Sequence, residues 1–476
     1  MGKLSALEPK SVWYFFEEIS AIPRGSRKEQ KIAAYIIAFA AERNLFCKTD
    51  AIGNVLICKE GQGKNKHREK VALQGHLDMV QQKSADKLFD FDSQGIELKI
   101  EGDFVTANQT TLGADNGIGV AYILSVLDDL QLDHPPLEAI FTVNEESGMT
   151  GAHEMEADFF SARRLLNLDI MVDDLLRIGS AGAVNVSATQ QYGIVENNWD
   201  TFEITVKGLK GGHSAADINK NRGNAIKILF RFFAESEIAV SLIDIDAGGL
   251  RNAIPREGKA VFAVQSTAAF LSSFEKLKSD LLQEHHSAEP DLMINILAVQ
   301  NNGKGLSVSD SLQVIEAVMI NPTGVYQMSS AIVNLVETSN NLATLQLKDG
   351  ELSILNLCRS SVDSKKKELS TVLSMLYKLF NWEVSFTGDY PGWRADLNAG
   401  IVQQTAAVYE TVFKQKPRIN GGHGGSECGL FIKHHPELEI VSFGPNIYGA
   451  HSPDEKVEIR SVENIWKLLT RLLSEL

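Results

Sequence analysis

Two pairs of chemically active residues each follow a short apolar segment. His76 and Asp78 come directly after one such segment, and Glu145 and Glu146 come directly after another. A histidine can bind a metal ion through one ring nitrogen while a nearby carboxylate fixes the orientation of the ring. Two adjacent glutamates repel each other unless positive charge lies near them. One glutamate of the pair could therefore bind a metal while the other acts as a general base.

Three further segments place an acid or a histidine at comparable points. Asp169 ends an apolar segment, Asp115 lies between glycines before a predicted helix, and His451 lies in a loop with glycine and proline. Each has a plain structural explanation when taken singly. Asp115 or Asn116 could cap the helix, Asp169 could end a strand in a turn, and His451 could be a structural loop residue.

Taken together, these segments indicate a metal centre. Imidazole nitrogens and carboxylate oxygens suit zinc, cobalt or manganese, and no thiolate ligand is required. The set is too large for one closed tetrahedral site, but two ions that share a bridging carboxylate would use all of it. Such a pair of ions activates water and polarises a carbonyl group, which is the chemistry of a hydrolase.

The elements that must hold these residues alternate between strand and helix over roughly the first 180 positions. Apolar runs at 71–75, 139–143 and 165–168 predict buried strands, and helical spacing predicts helices at 29–43 and 117–130. This alternation predicts an α/β fold with a mixed, mostly parallel sheet. Open sheets of this kind bind ligands at the carboxyl ends of their strands, where the acids and His76 fall.

The pattern changes near residue 190 and returns after Trp393. The segment 201–206 alternates polar and apolar residues, as does a strand with one wet face in an antiparallel sheet. We therefore predict a discontinuous catalytic domain, residues 1–186 and 394–476. An α+β lid domain of one or two subunits is predicted to be inserted at 187–393.

Composition restricts the partners and the compartment. The 476 residues carry a formal net charge of -15, which repels phosphate backbones and argues against nucleic acid as a partner. The chain has no apolar run long enough to span a membrane and no apolar leader, so the cytoplasm is the expected location. Its four cysteines are scattered, as in a protein of a reducing compartment. Cys428, in the glycine-rich run 421–429, is expected to be buried rather than to act as a nucleophile.

These motifs, in this order, resemble the metallopeptidase family M20, and within it the aminoacyl-histidine dipeptidase branch. The resemblance is carried by Gln74–Val80, Thr111–Gly119, Asn144–Glu146 and Gly449–Pro453. It extends over essentially the whole chain, including the large insert. It implies a cytoplasmic dipeptidase with two divalent ions, zinc first and cobalt or manganese as alternatives. The implied substrates are unblocked Xaa-His dipeptides, including β-alanyl-histidine.

The resemblance also implies a role for each residue of the centre. Asp115 would bridge the two ions, His76 and Asp169 would complete one site, and Glu146 and His451 would complete the other. Asp78 would orient His76. Glu145 would be the general base that takes a proton from the attacking water and passes it to the leaving amine. The peptide bond Asp115–Asn116 would be cis.

In the insert and directly after it, the resemblance implies residues that contact the substrate. His213 would stabilise the oxyanion of the tetrahedral intermediate, Asn252 would contact the substrate, and Arg394 would bind its carboxylate. Without the resemblance, His213 is an ordinary turn residue and Arg394 a surface ion pair. The resemblance assigns no role to His423. A homodimer is expected only because dimers are common in the family. The alternatives are a tripeptide aminopeptidase or an N-acyl amino acid deacylase of the same family, or a metal- or peptide-binding protein without catalysis.

Overall fold

The computed structural model describes residues 2–300 and 303–476, which divide into two compact units. The first unit is discontinuous in sequence and the second includes a short segment from near the carboxyl end. Their bounds are Met1–Gly179, Trp393–Gly422 and Ser426–Leu476 for the first, and Ser180–Gly392 and His423–Gly425 for the second. The insert predicted over 187–393 overlaps the range Ser180–Gly392 of this second unit, and the short range His423–Gly425 was not predicted to belong to it.

The described residues form eleven α-helices. They are α1 Lys10–Ser20, α2 Gln30–Glu42, α3 Ala114–Asp128, α4 Thr150–His153, α5 Ala225–Ala234, α6 Thr267–His285, α7 Val308–Ile320, α8 Asp363–Leu379, α9 Gly400–Phe413, α10 Glu427–His434 and α11 Ile459–Glu475. None of these helices, within residues 2–300 and 303–476, combines the length and hydropathy that a bilayer crossing requires.

The same residues form twenty-five strands. They are β1 Phe46–Thr49, β2 Val55–Lys59, β3 Val71–His76, β4 Leu98–Glu101, β5 Phe104–Ala107, β6 Leu137–Thr142, β7 Arg164–Asn167, β8 Leu175–Arg177, β9 Gly182–Gln191, β10 Ile194–Glu196, β11 Asp200–Lys207, β12 Gly212–His213, β13 Val240–Gly248, β14 Ala253–Ile254, β15 Gly258–Val264, β16 Met293–Ala298, β17 Lys304–Leu306, β18 Gly324–Met328, β19 Val336–Lys348, β20 Glu351–Ser360, β21 Glu383–Tyr390, β22 Arg418–Asn420, β23 Glu439–Ser442, β24 Ile447–Tyr448 and β25 Lys456–Glu458.

The first unit is built on a mixed sheet of eight strands among the described residues. Their order is β1-β2-β6-β3-β7-β23-β8-β22. The four consecutive strands β6, β3, β7 and β23 run parallel. Strands β3 and β6 are buried along their whole length, which explains the apolar runs Val71–Leu73 and Ala139–Phe141 within them. The carboxyl ends of these parallel strands therefore meet at one edge of the sheet.

Helices of the first unit bury apolar faces whose spacing is visible in the sequence. Helix α11 buries Val462, Ile465, Leu468, Leu469 and Leu472, which recur at helical intervals. Helix α3 is buried from residue 114 to residue 127, so this stretch has no solvent-exposed face. A helix that is buried on all sides belongs to the core, and α3 packs next to β3.

The second unit contains an antiparallel sheet of nine strands among its described residues. The main order is β16-β11-β15-β13-β19-β20-β9-β21, and β18 pairs with β19. Helix α5 begins after Asn224, whose side chain accepts hydrogen bonds from the backbone of Ile226 and Lys227. The predicted class, a mixed α/β catalytic fold with an added α+β lid, is confirmed.

Candidate metal centre

Three neighbouring parallel strands position four of the residues predicted for the metal centre. Strand β3 ends at His76, β6 ends two residues before Asn144 and the glutamate pair, and β7 ends two residues before Asp169. Because β6, β3 and β7 are adjacent and parallel, these residues follow the same edge of the sheet. The prediction that strand ends assemble the site is supported by this topology.

Asp115 reaches this edge from the irregular start of α3. The backbone angles of Asp115 are φ -81° and ψ 110°, outside the helical region. The peptide bond Asp115–Asn116 is cis, as the resemblance implies. The side chain of Asn116 donates to the carbonyl oxygen of Leu168 at 2.6 Å, which ties the start of α3 to the end of β7. A Cβ atom on Gly75 would lie 2.4 Å from Asn116 Oδ1, so this close approach requires glycine.

The carboxylate of Asp115 lies between two imidazole rings. One oxygen, Oδ1, is 3.2 Å from Nε2 of His76, and the other, Oδ2, is 3.3 Å from Nε2 of His451. His76 and His451 are 375 positions apart in the sequence. A single carboxylate with one oxygen directed to each imidazole is the arrangement expected of a residue that bridges two metal sites.

A further carboxylate accompanies each imidazole. Oδ1 of Asp169 is 3.7 Å from Nε2 of His76, and Oε2 of Glu146 is 3.1 Å from Nε2 of His451. One ligand atom each from His76, Asp115 and Glu146 lie within 4.8 Å of one another, so these three residues can hold a metal ion together. The structure thus brings all five predicted ligands into one cluster with two histidine–carboxylate halves.

Asp78 is fully buried and links the two predicted loops beside the cluster. Its Oδ1 accepts from the backbone N–H of Glu145 at 2.9 Å, and its Oδ2 accepts from that of Glu146 at 3.1 Å. Ser26 donates to Oδ2 at 2.7 Å. Oδ1 is also 3.4 Å from Nδ1 of His76. Asp78 therefore holds the backbone of Glu145 and Glu146 through two hydrogen bonds, and it also faces the His76 ring.

The cluster carries more buried acid than its histidines can balance. Burial raises the pKa of Glu145 and of Asp169 well above the usual range, and neighbouring carboxylates raise both further. Hydrogen bonds to Asp115 and Glu146 raise the pKa of His451 to about 10. For Asp115, burial favours the neutral form, but the two imidazoles dominate and hold its pKa well below the usual range. Bound cations would offset this excess of negative charge.

Glu427, a buried glutamate near the predicted metal centre, was not identified from the sequence. Glu427 begins helix α10 and accepts hydrogen bonds from Gln74 Nε2 at 2.7 Å and Thr142 Oγ1 at 2.9 Å. Burial raises its pKa to about 7. The only signal in the sequence was its position in the glycine-rich run 421–429. Its neighbour Cys428 is buried, and burial raises the pKa of that thiol to about 12, so the expected structural role of Cys428 is supported.

Two of the predicted substrate contacts are neighbours in the second unit. His213 lies opposite Ala253 where the short strands β12 and β14 pair. The carbonyl oxygen of Asn252 accepts from the backbone N–H of Ser214 at 2.8 Å. Asn341, which the sequence did not single out, donates from Nδ2 to the carbonyl oxygens of Arg251 and Ala253, at 3.1 and 2.8 Å. Asn341 thus holds the exposed Asn252 segment in place.

The third predicted contact, Arg394, belongs to the first unit and is exposed. A different arginine, Arg359, lies beside the His213 segment. It is 6% exposed, and it donates to Ser214 Oγ and to Tyr390 Oη, each at 3.3 Å. Within the described residues no carboxylate forms an ion pair with Arg359. Its side chain donates to two hydroxyl groups, and it lies near enough to His213 and His423 to lower the pKa of both.

His423 is a buried histidine of the second unit. Its Nε2 lies 2.6 Å from Ser339 Oγ. Burial, together with the positive charge of Arg359, lowers its pKa to about 3. The imidazole is therefore neutral at neutral pH.

Comparison with known proteins points to one family. Residues 72–475 match the sequence profile described as peptidase family M20/M25/M40. The chain is 39% identical to the cytosol non-specific dipeptidase of Escherichia coli strain K12, over 100% of this chain and 99% of the relative. The crystal structure of an aminoacylhistidine dipeptidase from Vibrio alginolyticus has a TM-score of 0.94 at 36% identity and covers 99% of this chain and 98% of that one. An aminopeptidase from Bacillus cereus shares the fold, with a TM-score of 0.58 at 14% identity over 98% and 99% of the two chains.

Proposed function

The chain belongs to peptidase family M20/M25/M40, and on this basis we propose that it is a metal-dependent dipeptidase with two ions at the Asp115 cluster. The observation that carries this proposal is the placement of Asp115 between His76 and His451. Each half of the cluster offers one imidazole and one further carboxylate. A single-ion site would leave one half without a function.

The residues present fit metal ions on chemical grounds. Oε1 of Glu146 is buried and has no hydrogen-bond partner among the described residues, so it is free to bind a cation. The donor set of imidazole and carboxylate suits zinc, with cobalt or manganese as alternatives. We assign His76 and Asp169 to one ion, Glu146 and His451 to the other, and Asp115 to both. Two bound ions supply Lewis acidity that polarises the scissile carbonyl and lowers the pKa of water.

The protein residues provide positioning and proton transfer in this proposal. Glu145 is the general base: it accepts a proton from the attacking water and delivers it to the leaving amine. Its backbone is fixed by the bond to Asp78, while its side chain has no assigned ligand role. Asp78 orients His76 at the same time, which couples the base to the metal ligands. His213 donates to the oxyanion, and Asn252 contacts the substrate.

The carboxylate of the dipeptide requires a cation, and two arginines are candidates. Arg394 is the residue that the resemblance indicates. Arg359 has the stronger physical argument, because it is buried beside Ser214 without any acidic partner among the described residues. A buried guanidinium without an acidic partner can bind a carboxylate in a bidentate manner. Arg394→Lys and Arg359→Lys, compared side by side, should raise KM for free dipeptides in only one of the two variants.

The preferred substrate is proposed to be an Xaa-His dipeptide, with β-alanyl-histidine included. The support is the name of the Vibrio alginolyticus relative; the name of the Escherichia coli relative, a non-specific dipeptidase, points to a broader range. That second name also supports a cytoplasmic location. A homodimer remains a prediction.

The test is hydrolysis of a dipeptide panel by metal-stripped protein before and after addition of zinc, cobalt or manganese. The panel contains free Xaa-His and other free dipeptides, their N-acetylated forms and matched tripeptides. Metal-dependent cleavage of free dipeptides, fastest with C-terminal histidine, is the expected result. Cleavage of acetylated substrates alone would assign the chain to the deacylases, and cleavage of tripeptides alone to the aminopeptidases. Tight binding of two ions without any turnover would support a non-catalytic role.

A further inference from the structure

A buried arginine connects the two backbone segments that carry His76 and Asp115. Arg24 is 2% exposed. Its Nη1 donates to the carbonyl oxygens of Leu77 and Asp78, at 3.1 and 3.2 Å, and its Nη2 donates to the carbonyl oxygen of Gly113 at 2.5 Å. The planar guanidinium thereby holds the residues after His76 at a fixed distance from the residues before Asp115.

A buried glutamate holds the same Asp115 segment from its N–H side. Oε2 of Glu455 accepts from the backbone N–H groups of Leu112 and Gly113, at 2.8 and 2.9 Å. Oε1 accepts from those of Ala114 and Asp115, at 2.8 and 3.3 Å. One carboxylate thus satisfies four consecutive backbone donors, which would otherwise be unpaired at the start of α3. Glu455 lies only four residues after His451, so it also fixes the loop that carries this ligand.

The side chains of Arg24 and Glu455 also carry opposite charges. Burial lowers the pKa of Arg24 to about 10, so the guanidinium stays cationic at neutral pH, and the carboxylates of Glu455 and Asp78 favour that charge. Removing either charge would leave the other in a buried environment next to the acidic cluster.

We propose that Arg24 and Glu455 are positioning residues that set the geometry of the metal centre before any metal binds. This inference rests on the proposed function, because it assigns the two residues to the ligands named there. Their contacts reach three ligand-bearing or ligand-orienting segments: Arg24 joins the 77–78 backbone to that of Gly113, and Glu455 joins the 112–115 backbone to the His451 loop. Partners of metal ligands typically change affinity by about 10- to 100-fold when they are removed.

The test compares Glu455→Gln with a matched control, Glu138→Gln. Glu138 is also a buried glutamate of the first unit, and it accepts from the backbone N–H groups of Ser161 and Ala162, each at 2.8 Å. It lies near the start of β6, whereas the glutamate pair follows the end of that strand. Zinc dissociation constants are measured by chelator competition, and melting temperatures are measured on the metal-free proteins. Arg24→Lys, which keeps the charge but loses the planar fork, is measured in the same way.

We expect both glutamine variants to melt lower than the wild type, but only Glu455→Gln to bind zinc about 10- to 100-fold more weakly. Arg24→Lys should weaken zinc binding by about tenfold or more within the same range. Equal zinc affinity in Glu455→Gln, Arg24→Lys and wild type would overturn the inference and leave the two residues a purely structural role. Equal weakening in Glu138→Gln would overturn it as well, because the effect would then be one of general stability. A wild type that binds no zinc, cobalt or manganese would refute the proposed function instead.

Discussion

Replacing Glu145 by glutamine should remove most of the turnover and leave the metal content unchanged. The backbone N–H of Glu145 donates to Asp78 Oδ1 at 2.9 Å, and the substitution preserves this bond because the side chain does not make it. The variant therefore exchanges only a proton-accepting carboxylate for an amide of the same shape. Loss of a general base lowers kcat by about 10²- to 10⁴-fold. This corresponds to about 2.7–5.4 kcal/mol of lost transition-state stabilisation.

Glu146→Gln is the matched comparison, one residue further along the chain. Oε2 of Glu146 is 3.1 Å from His451 Nε2, and its Oε1 is buried without a hydrogen-bond partner among the described residues. Replacing a carboxylate ligand by an amide weakens metal binding directly. This variant should therefore lose both activity and at least one equivalent of metal, whereas Glu145→Gln should lose activity alone.

The assay combines steady-state kinetics on a free dipeptide with elemental analysis of the dialysed proteins. The expected pattern for Glu145→Gln is two ions per chain, a nearly unchanged KM and the reduced kcat stated above. If Glu145→Gln lost metal while Glu146→Gln kept it, the two glutamates would have exchanged roles and the assignment would be wrong. Full activity in Glu145→Gln would mean that another group, such as the buried Glu427, accepts the proton.

Three further variants test the second unit. Asn341→Ala should raise KM several-fold with a smaller change in kcat, because it releases the segment that carries Asn252; an unchanged KM would remove Asn252 from the substrate contacts. Asn224→Ala should lower the free energy of unfolding of the unit by about 1–2 kcal/mol in urea, because it removes the cap of α5. A loss of less than a few tenths of a kcal/mol would contradict the capping role. His423 has a folded-state pKa of about 3, below the ordinary value of about 6.5. As the pH falls from 7 to 5, the unfolded chain takes up a proton at this position and the folded chain does not. This difference lowers the free energy of unfolding by about 2 kcal/mol. Between pH 7 and 5, the free energy of unfolding of His423→Gln should therefore fall by about 2 kcal/mol less than that of the wild type. Parallel plots of unfolding free energy against pH for the variant and the wild type would contradict this linkage.

The ligand-bearing strands were predictable because each is buried on both faces. The apolar runs within β3 and β6 are visible in the sequence, and His76 and the glutamate pair follow them closely. Arg24 and Glu455 gave no comparable signal. Glu455 is 340 positions from Asp115, and a lone arginine or glutamate resembles any surface charge until the fold brings it next to the ligand loops.

In the second unit, alternation indicated strands but could not indicate their partners. Strand β9 pairs with β20 and β21, which lie more than 150 residues away in the sequence. A period of two residues specifies which face is buried, and many antiparallel neighbours satisfy it equally well. The same limit applies to the arginines: the sequence suggested Arg394, and only the fold revealed that Arg359 lies beside Ser214.

The proposed metal ligands are far apart in the sequence, and this has a consequence for the newly made protein. Glu146 and His451 are separated by 305 residues, so translation at about 5–20 residues per second delivers the second roughly 15 to 60 s after the first. A nascent chain stopped at residue 448 carries Asp115 and Glu146 but neither His451 nor Glu455. The proposed centre can be completed only when the segment with His451 and Glu455 has been made, so we expect arrested chains of this length to be inactive. Dipeptidase activity would then report that synthesis has passed the His451 loop.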